Sequence, residues 1–240
     1  MSNNYFQFKQ FIIKQNACAM KVTTDACLFG AWAAVKMQNE TDKINKVLDI
    51  GTGTGLLSLL LAQKNNIAII DAVEIDESAA IQAQQNFQAT AWKERLQVFT
   101  TSIQRFSHSS LYDFIITNPP FFNNDLPSEN DKRNLALHSK ALTLEELIQA
   151  IKINLSPNGK FAILLPYHRT ESFLQLASEH SFYVEEKVMV KQTEKHDYFR
   201  SMLLFGKEMV FIKLQEIIIK QNDTYSNEFK NLLSDYYLHL

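Results

Sequence analysis

The sequence predicts an α/β fold: a doubly wound, Rossmann-like sheet of seven mostly parallel strands, with an antiparallel strand near the C-terminus. Three observations predict it. From residue 46 onward, short β-like runs alternate with longer amphipathic segments, the pattern of parallel strands joined by crossover helices. A glycine-rich turn, Gly51-Thr52-Gly53-Thr54-Gly55, stands between the first run and the first helical segment. The last two β-like runs lack a helix-length connection, so one of them must run antiparallel.

Taken in order, Lys46–Ile50 reads as the first strand, and Leu56–Gln63 as a helix with a broad apolar face. Ile67–Ile75 is the second strand. Asp76 is a good N-cap for a helix over Glu77–Gln88, with Glu77 favourable in its first turn. Leu96–Thr100 and Asp113–Asn118 follow as the third and fourth strands. Residues 119–141 are polar, interrupted by proline and too long for an ordinary βα connection, which predicts a lid or binding loop. Thr143 caps a helix running through Leu155, with Glu145 and Glu146 near its positive end. Ser156-Pro157-Asn158-Gly159 turns the chain into the strand Lys160–Leu165. A helix near Glu171–His180 leads to the runs Tyr183–Val190 and Arg200–Lys213, and Asn227–Leu238 is amphipathic and helical. Neither an internal repeat nor a low-complexity linker divides the chain.

The chain has 240 residues, 46% of them apolar, enough for one domain with a full core. Net charge is −2, but residues 1–48 carry six lysines against three acids, leaving −5 on the remainder. A basic N-terminal segment on an acidic body suits a phosphate backbone guided to one face, and equally an ordinary solvated surface. Cys18 and Cys27 have neither disulfide nor metal spacing and are expected to be buried thiols; no metal is expected. The first apolar stretch is broken by Lys9, Gln10 and Lys14, unlike a signal peptide. No run reaches the ~18 apolar residues of a membrane span, and a cytoplasmic location is expected.

Two turns carry the chemistry. Glycines at the first are needed where the backbone approaches a ligand closely or φ is positive. A dinucleotide site wants Gly-x-Gly-x-x-Gly, whereas this chain has Gly-x-Gly-x-Gly with Leu56 at the dinucleotide third position. Asp49 places a carboxylate just before the turn, where it would repel a pyrophosphate but suit the cationic end of S-adenosylmethionine. Glu74, ending the second strand, is placed to accept from two ribose hydroxyls.

The second turn is Asn118-Pro119-Pro120-Phe121. An Asn side-chain oxygen and the Pro119 carbonyl can accept both hydrogens of an exocyclic amine, while Phe121 stacks on the ring. Pro120 helps to shape that pocket, and Phe122 would form a second wall. Such an amine is a poor nucleophile because its lone pair is delocalised; two acceptors draw it towards sp³ geometry, so catalysis rests on positioning and electrostatics. A base within folded nucleic acid must swing out to arrive. Asn and Pro also terminate strands without any such role. No Pro-Cys pair near this edge offers the covalent route of carbon methylation.

Both turns resemble those of the class I S-adenosylmethionine-dependent methyltransferases, in the amino-group branch. Phe6-Gln7-Phe8-Lys9-Gln10-Phe11, Gln15, Cys18 to Val22, Thr24-Asp25 and Gly30-Ala31-Trp32-Ala33 are similar to the opening of the bacterial valine-tRNA (adenine 37-N6)-methyltransferases. The similarity continues through Glu74-Ile75-Asp76, Ala83, Asn86, Trp92, Arg95, Val98 and Asn118–Phe122, to about residue 215. It implies that Lys21, Thr24 and Asp25 lie over the cofactor's methionine end, and that Asp49, Gly51, Gly53, Gly55, Glu74, Ile75 and Asn118 contact S-adenosylmethionine. Thr23 and Ala26 stand where the family commonly has glycines, and Thr101 and Ser102 where an acid often meets the cofactor's adenine.

The expected organisation is one domain, with residues 1–45 covering the site, 46–215 as catalytic core and 216–240 as an extension. The expected reaction is methyl transfer to N6 of a tRNA adenine by a monomer, with Asn118, Pro119 and Phe121 catalytic. His138, Lys140, Lys132 and Arg133, and the late basic residues Lys187, Lys191, Lys195, His196 and Arg200, are candidate RNA contacts or simply solvated surface. Glutamine methylation in a translation factor, DNA adenine methylation, a non-catalytic RNA-binding role and a dehydrogenase are the alternatives.

Overall fold

The computed structural model describes residues 3–18, 20–39, 44–120 and 142–240. A two-stranded hairpin, β1 (Tyr5–Gln7) and β2 (Ile12–Lys14), precedes helix α1 (Thr24–Asn39). The expected units follow: β3 (Lys46–Ile50), α2 (Leu56–Lys64), β4 (Ile69–Glu74), α3 (Glu77–Gln88), β5 (Leu96–Thr100) and β6 (Tyr112–Thr117). Then come α4 (Leu144–Asn154), β7 (Leu155–Pro166), α5 (Thr170–Glu179), β8 (Tyr183–Thr193) and β9 (Tyr198–Gly206). β10 (Lys213–Gln221), β11 (Thr224–Tyr225) and α6 (Asn227–Leu233) complete the described elements.

The main sheet has the order β11-β10-β8-β9-β7-β6-β3-β4-β5. From β8 to the β5 edge it is the expected seven strands, β3 to β9, with β9 antiparallel to both β7 and β8. Two further strands extend it, so the sheet has nine. The run from Arg200 to Lys213 breaks after Gly206, and β10 begins at Lys213, pairing parallel with the far side of β8. A two-residue hairpin at Asn222 and Asp223, both at positive φ, then adds β11; Asn and Asp accept that conformation at low cost. Ser156–Gly159 forms the irregularity between β6 and β7, where Tyr112 faces Leu155 but Phe114 faces Lys160.

Alternation along the strands splits the core into two layers. Val47, Phe114, Ile116, Ala162 and Leu164 pack beneath α1, α2 and α6, while Leu48, Ile115, Phe161, Ile163 and Leu165 face α4 and α5. α1 was not expected as a helix. Residues 26–34 are buried without interruption, and a helix apolar all round shows no periodicity to read. Gly30 permits the close α1–α2 approach, because a Cβ there would lie 2.5 Å from Leu60 Cδ1. Cys27 is buried as expected, whereas Cys18 is only half-buried, since its segment runs across the surface beside Glu74. Among the described residues no helix is long and apolar enough to cross a membrane.

Candidate active site

The carboxyl end of β3 runs straight into the glycine turn. Gly51, Gly53 and Gly55 have φ of +72°, +55° and +82°, a region that side chains with a Cβ resist. The turn is pinned by Gly51 and Thr52 N–H groups donating to the Val73 carbonyl at 2.9 and 3.2 Å. The three glycines serve different ends. A Cβ on Gly51 or Gly53 would meet nothing within 4 Å, so the protein leaves open space before them. A Cβ on Gly55 would lie 2.5 Å from Phe87 Cε1; this glycine lets α2 pack on α3.

Glu74 ends β4 as expected. Its Oε2 accepts from Gly53 N–H and its Oε1 from Asp76 N–H, both at 2.9 Å. The carboxylate thereby ties the turn to the start of α3, and each oxygen keeps a lone pair for a ligand hydroxyl. Ile75 follows, 59% exposed on the same rim, an apolar surface for the face of an adenine. The half-buried Cys18 thiol lies close enough to Glu74 and Asp76 that burial, then those two carboxylates, push it up to about 11.

Asp49 is wholly buried behind the turn. Its Oδ2 accepts from Thr52 Oγ1 at 2.6 Å, Ser58 Oγ at 2.7 Å and Ser58 N–H at 3.2 Å. Its Oδ1 has no partner. Burial pushes this carboxyl up to about 6, against the Thr52 and Ser58 hydrogen bonds. A buried acceptor without a donor marks a place where a ligand or water completes the structure. This orphan oxygen, the open space before Gly51 and Gly53, and the ribose-ready Glu74 together fit S-adenosylmethionine.

Asn118 leaves β6 beside this turn. Ile50 pairs with Thr117 in register, and Thr117 Oγ1 donates to the Ile50 carbonyl at 2.9 Å, so Gly51 and Asn118 emerge side by side. Pro119 is buried and Pro120 exposed. Phe121 and Phe122 lie outside the described residues, as do Lys132, Arg133, His138 and Lys140.

The N-terminal segment crosses above α3. Asn86, buried on α3, accepts from Lys14 N–H at 3.0 Å and donates to the carbonyls of Lys14 and Thr54, each at 2.9 Å. Gln82 Oε1 accepts from Ala17 N–H at 2.9 Å. Both residues fasten the N-terminal segment to α3, and Asn86 also ties α3 to the glycine turn. The sequence carries Asn86 only within the family resemblance, because its partner Lys14 is 72 residues away. Farther along, Lys21 is exposed, with Nζ 3.4 Å from the Asn3 carbonyl. Thr24 opens α1. Asp25 accepts from Arg200 Nε at 2.7 Å, which ties the start of α1 to β9.

The late basic stretch is partly neutralised within the protein. Lys187 pairs with Glu171 at 2.7 Å, Lys191 with Glu216 at 3.4 Å and Arg200 with Asp25. Among the described residues no cluster of His, Cys, Asp and Glu could hold a metal.

Comparison with known proteins agrees with this geometry. Residues 33–181 match the sequence pattern of the family described as "Methyltransferase small domain". A tRNA1(Val) (adenine(37)-N6)-methyltransferase from Dyadobacter fermentans is 42% identical over 241 aligned residues, 98% of each chain. Among solved structures, a predicted O-methyltransferase from Agrobacterium tumefaciens superposes with a TM-score of 0.67 at 14% identity, covering 88% of this chain and 96% of its own. A Listeria monocytogenes chain assigned as a class I S-adenosylmethionine-dependent methyltransferase does so with a TM-score of 0.61 at 12% identity, over 90% and 71%. The chain belongs to the class I S-adenosylmethionine-dependent methyltransferases, in the family of the tRNA1(Val) (adenine(37)-N6)-methyltransferases.

Proposed function

We propose that this protein transfers a methyl group from S-adenosylmethionine to N6 of an adenine in tRNA, adenine 37 of a valine tRNA. The observation that carries the reading is the side-by-side emergence of the glycine turn and Asn118, locked by the Thr117–Ile50 hydrogen bond. It puts a cofactor cradle and a double acceptor for an amine within one strand spacing, ~4.8 Å. The name borne by full-length relatives supports the choice of base and RNA.

When bound, S-adenosylmethionine supplies an electrophilic methyl group on a sulfonium. Gly51 and Gly53 admit it, Glu74 accepts from its ribose, and Ile75 lies against its adenine. The covering segment held by Asn86 and Gln82 closes over it and excludes water; Lys21, Thr24 and Asp25 belong to that cover. Asn118 Oδ1 and the Pro119 carbonyl accept the two N6 hydrogens of the target, leaving the nitrogen lone pair aimed at the methyl group. Pro119 precedes another proline, so its backbone stays extended and its carbonyl direction is fixed. Phe121 stacks on the base, with Pro120 and Phe122 beside it. Residues 1–45, 46–215 and 216–240 act as cover, catalytic core and extension of one monomeric domain, working in the cytoplasm.

The test is methyl transfer from labelled S-adenosylmethionine to unmodified tRNA, followed by nucleoside analysis, with Asn118→Ala alongside. Labelled N6-methyladenosine is expected. The variant should bind cofactor normally and turn over about 10²-fold more slowly, the loss typical of a transition-state contact. Label appearing only in protein would overturn the reading in favour of glutamine methylation.

A further inference from the structure

Beyond the target turn, the carboxyl edge of the sheet continues across β7, β9, β8 and β10. There it opens into a cleft of about 420 Å³, the size range of a small-ligand site. Its walls include Phe199 from β9, Tyr225 from β11, Gln192 and Thr193 from the end of β8 and Lys220 from β10, with Thr24 and Asp25 of α1 where the cleft borders the proposed cofactor cover. β9 lies two strand spacings from β6 and β10 lies four, so the cleft is roughly 10–20 Å from Asn118. That is the span of a few unstacked nucleotides.

The lining is built to hold flat rings. Tyr225 is backed by Phe229, with centroids 4.4 Å apart and planes 12° from parallel, and Lys220 Nζ stands 5.5 Å from its centroid. The guanidinium of Arg200, fixed at 2.7 Å by Asp25, lies 5.3 Å from the centre of the Phe199 ring. Gln192 is exposed and offers an amide with both donors and an acceptor. The nearby cations Arg200 and Lys191 are matched by Asp25 and Glu216, which leaves Lys220 on the wall to meet a phosphate of the same nucleotide. Aromatic rings with cations beside them and an exposed amide are the chemistry that recognises an unstacked base.

We propose that this cleft is a second base-binding subsite, which takes one unstacked base of the same RNA strand a few nucleotides from the methylated adenine. The inference rests on the tRNA reading above. With the flanking base seated, the target strand is held open on both sides of the flipped adenine. The subsite therefore selects single-stranded loops over duplex RNA.

Its test is an abasic scan. Stem-loop RNAs carrying the target adenine, each with one abasic residue within about three nucleotides of it, are methylated by the wild-type enzyme and by Phe199→Ala. One abasic position should raise KM about 10-fold, the effect typical of a lost base–aromatic stack. Phe199→Ala should raise KM for the intact RNA by a similar factor, add little at that position, and leave cofactor affinity unchanged. Such non-additivity is the signature of two groups in contact. Gln192→Ala, at an exposed position, provides the same cycle should Phe199→Ala fold poorly. A flat abasic scan with wild-type methylation intact would overturn the subsite alone, as would additive effects at every position. Failure of the wild-type enzyme to methylate any of these RNAs or intact tRNA would overturn the tRNA reading and the subsite with it.

Discussion

Asp49 divides its two carboxylate oxygens between opposite surroundings. One of its oxygens is saturated by Thr52 and Ser58, which shapes the loop; the other is buried without a donor. The ligand-free protein therefore holds a carboxyl that burial pushes up to about 6 from its ordinary 3.8. A carboxyl raised on folding contributes stability that is fully present below the unfolded value and is lost as pH rises through the folded one. Between pH 5 and 7 the ligand-free wild-type protein should accordingly lose about 1 kcal/mol relative to Asp49→Asn, which carries no titrating group there. Urea unfolding of both proteins at the two pH values checks this. Parallel pH dependence in the two would mean that Asp49 is already ionised at pH 5.

At the scale of elements, the glycine turn separates packing from ligand access. Gly53→Ala introduces a Cβ at φ +55° into open space, so its folding cost is the left-handed strain alone, about 1–2 kcal/mol. Gly55→Ala adds to that strain a 2.5 Å clash with Phe87, worth roughly 1–3 kcal/mol more. Thermal melts should rank Gly55→Ala as the less stable variant. Calorimetry should rank them the other way for cofactor, with Gly53→Ala losing roughly tenfold in affinity or more, about 1.4 kcal/mol. Equal affinity losses would place both glycines in the same role. Elements whose signals are local were legible in the sequence. Asp76 caps α3 by accepting from Ala79 N–H, and Thr143 and Glu146 form a reciprocal capping box at α4. Both functional turns were legible for the same reason, since each sits at a strand end where residue type reports backbone demand. Legibility failed where tertiary burial replaces periodicity, as in α1, and where two strands read as one run, as with β9 and β10. Asn222-Asp223, a local turn signal not read as one above, makes the two-residue β10–β11 hairpin. Asn86 and the Asp25–Arg200 pair were hidden because their partners lie 72 and 175 residues away.

Residues near the two ends of the chain meet over α2, and the N-terminal hairpin is fastened there. Phe8 bridges to Tyr237, Lys9 N–H donates to the Tyr236 carbonyl at 2.8 Å, and Tyr236 OH donates to the Leu60 carbonyl at 2.9 Å. Tyr236 is completely buried, and the Phe8 ring stacks on Phe11 with centroids 4.5 Å apart. The hairpin is thus held from behind by the last residues of the chain and from in front by Asn86 on α3. Removing the rear support by Tyr236→Ala leaves a cavity and strips the Leu60 carbonyl of a side-chain donor. The expected cost is about 3–5 kcal/mol, or a fall in Tm of roughly 10 °C for a chain of this size. Tyr236→Phe, which keeps the ring, should lose only about 1 kcal/mol. The decisive readout is local: in Tyr236→Ala, hydrogen exchange should accelerate across residues 5–14 as well as in α6, and cofactor affinity should fall with it. Acceleration confined to α6 would show that the hairpin holds its place without the C-terminus, leaving Asn86 and Gln82 to anchor the cover.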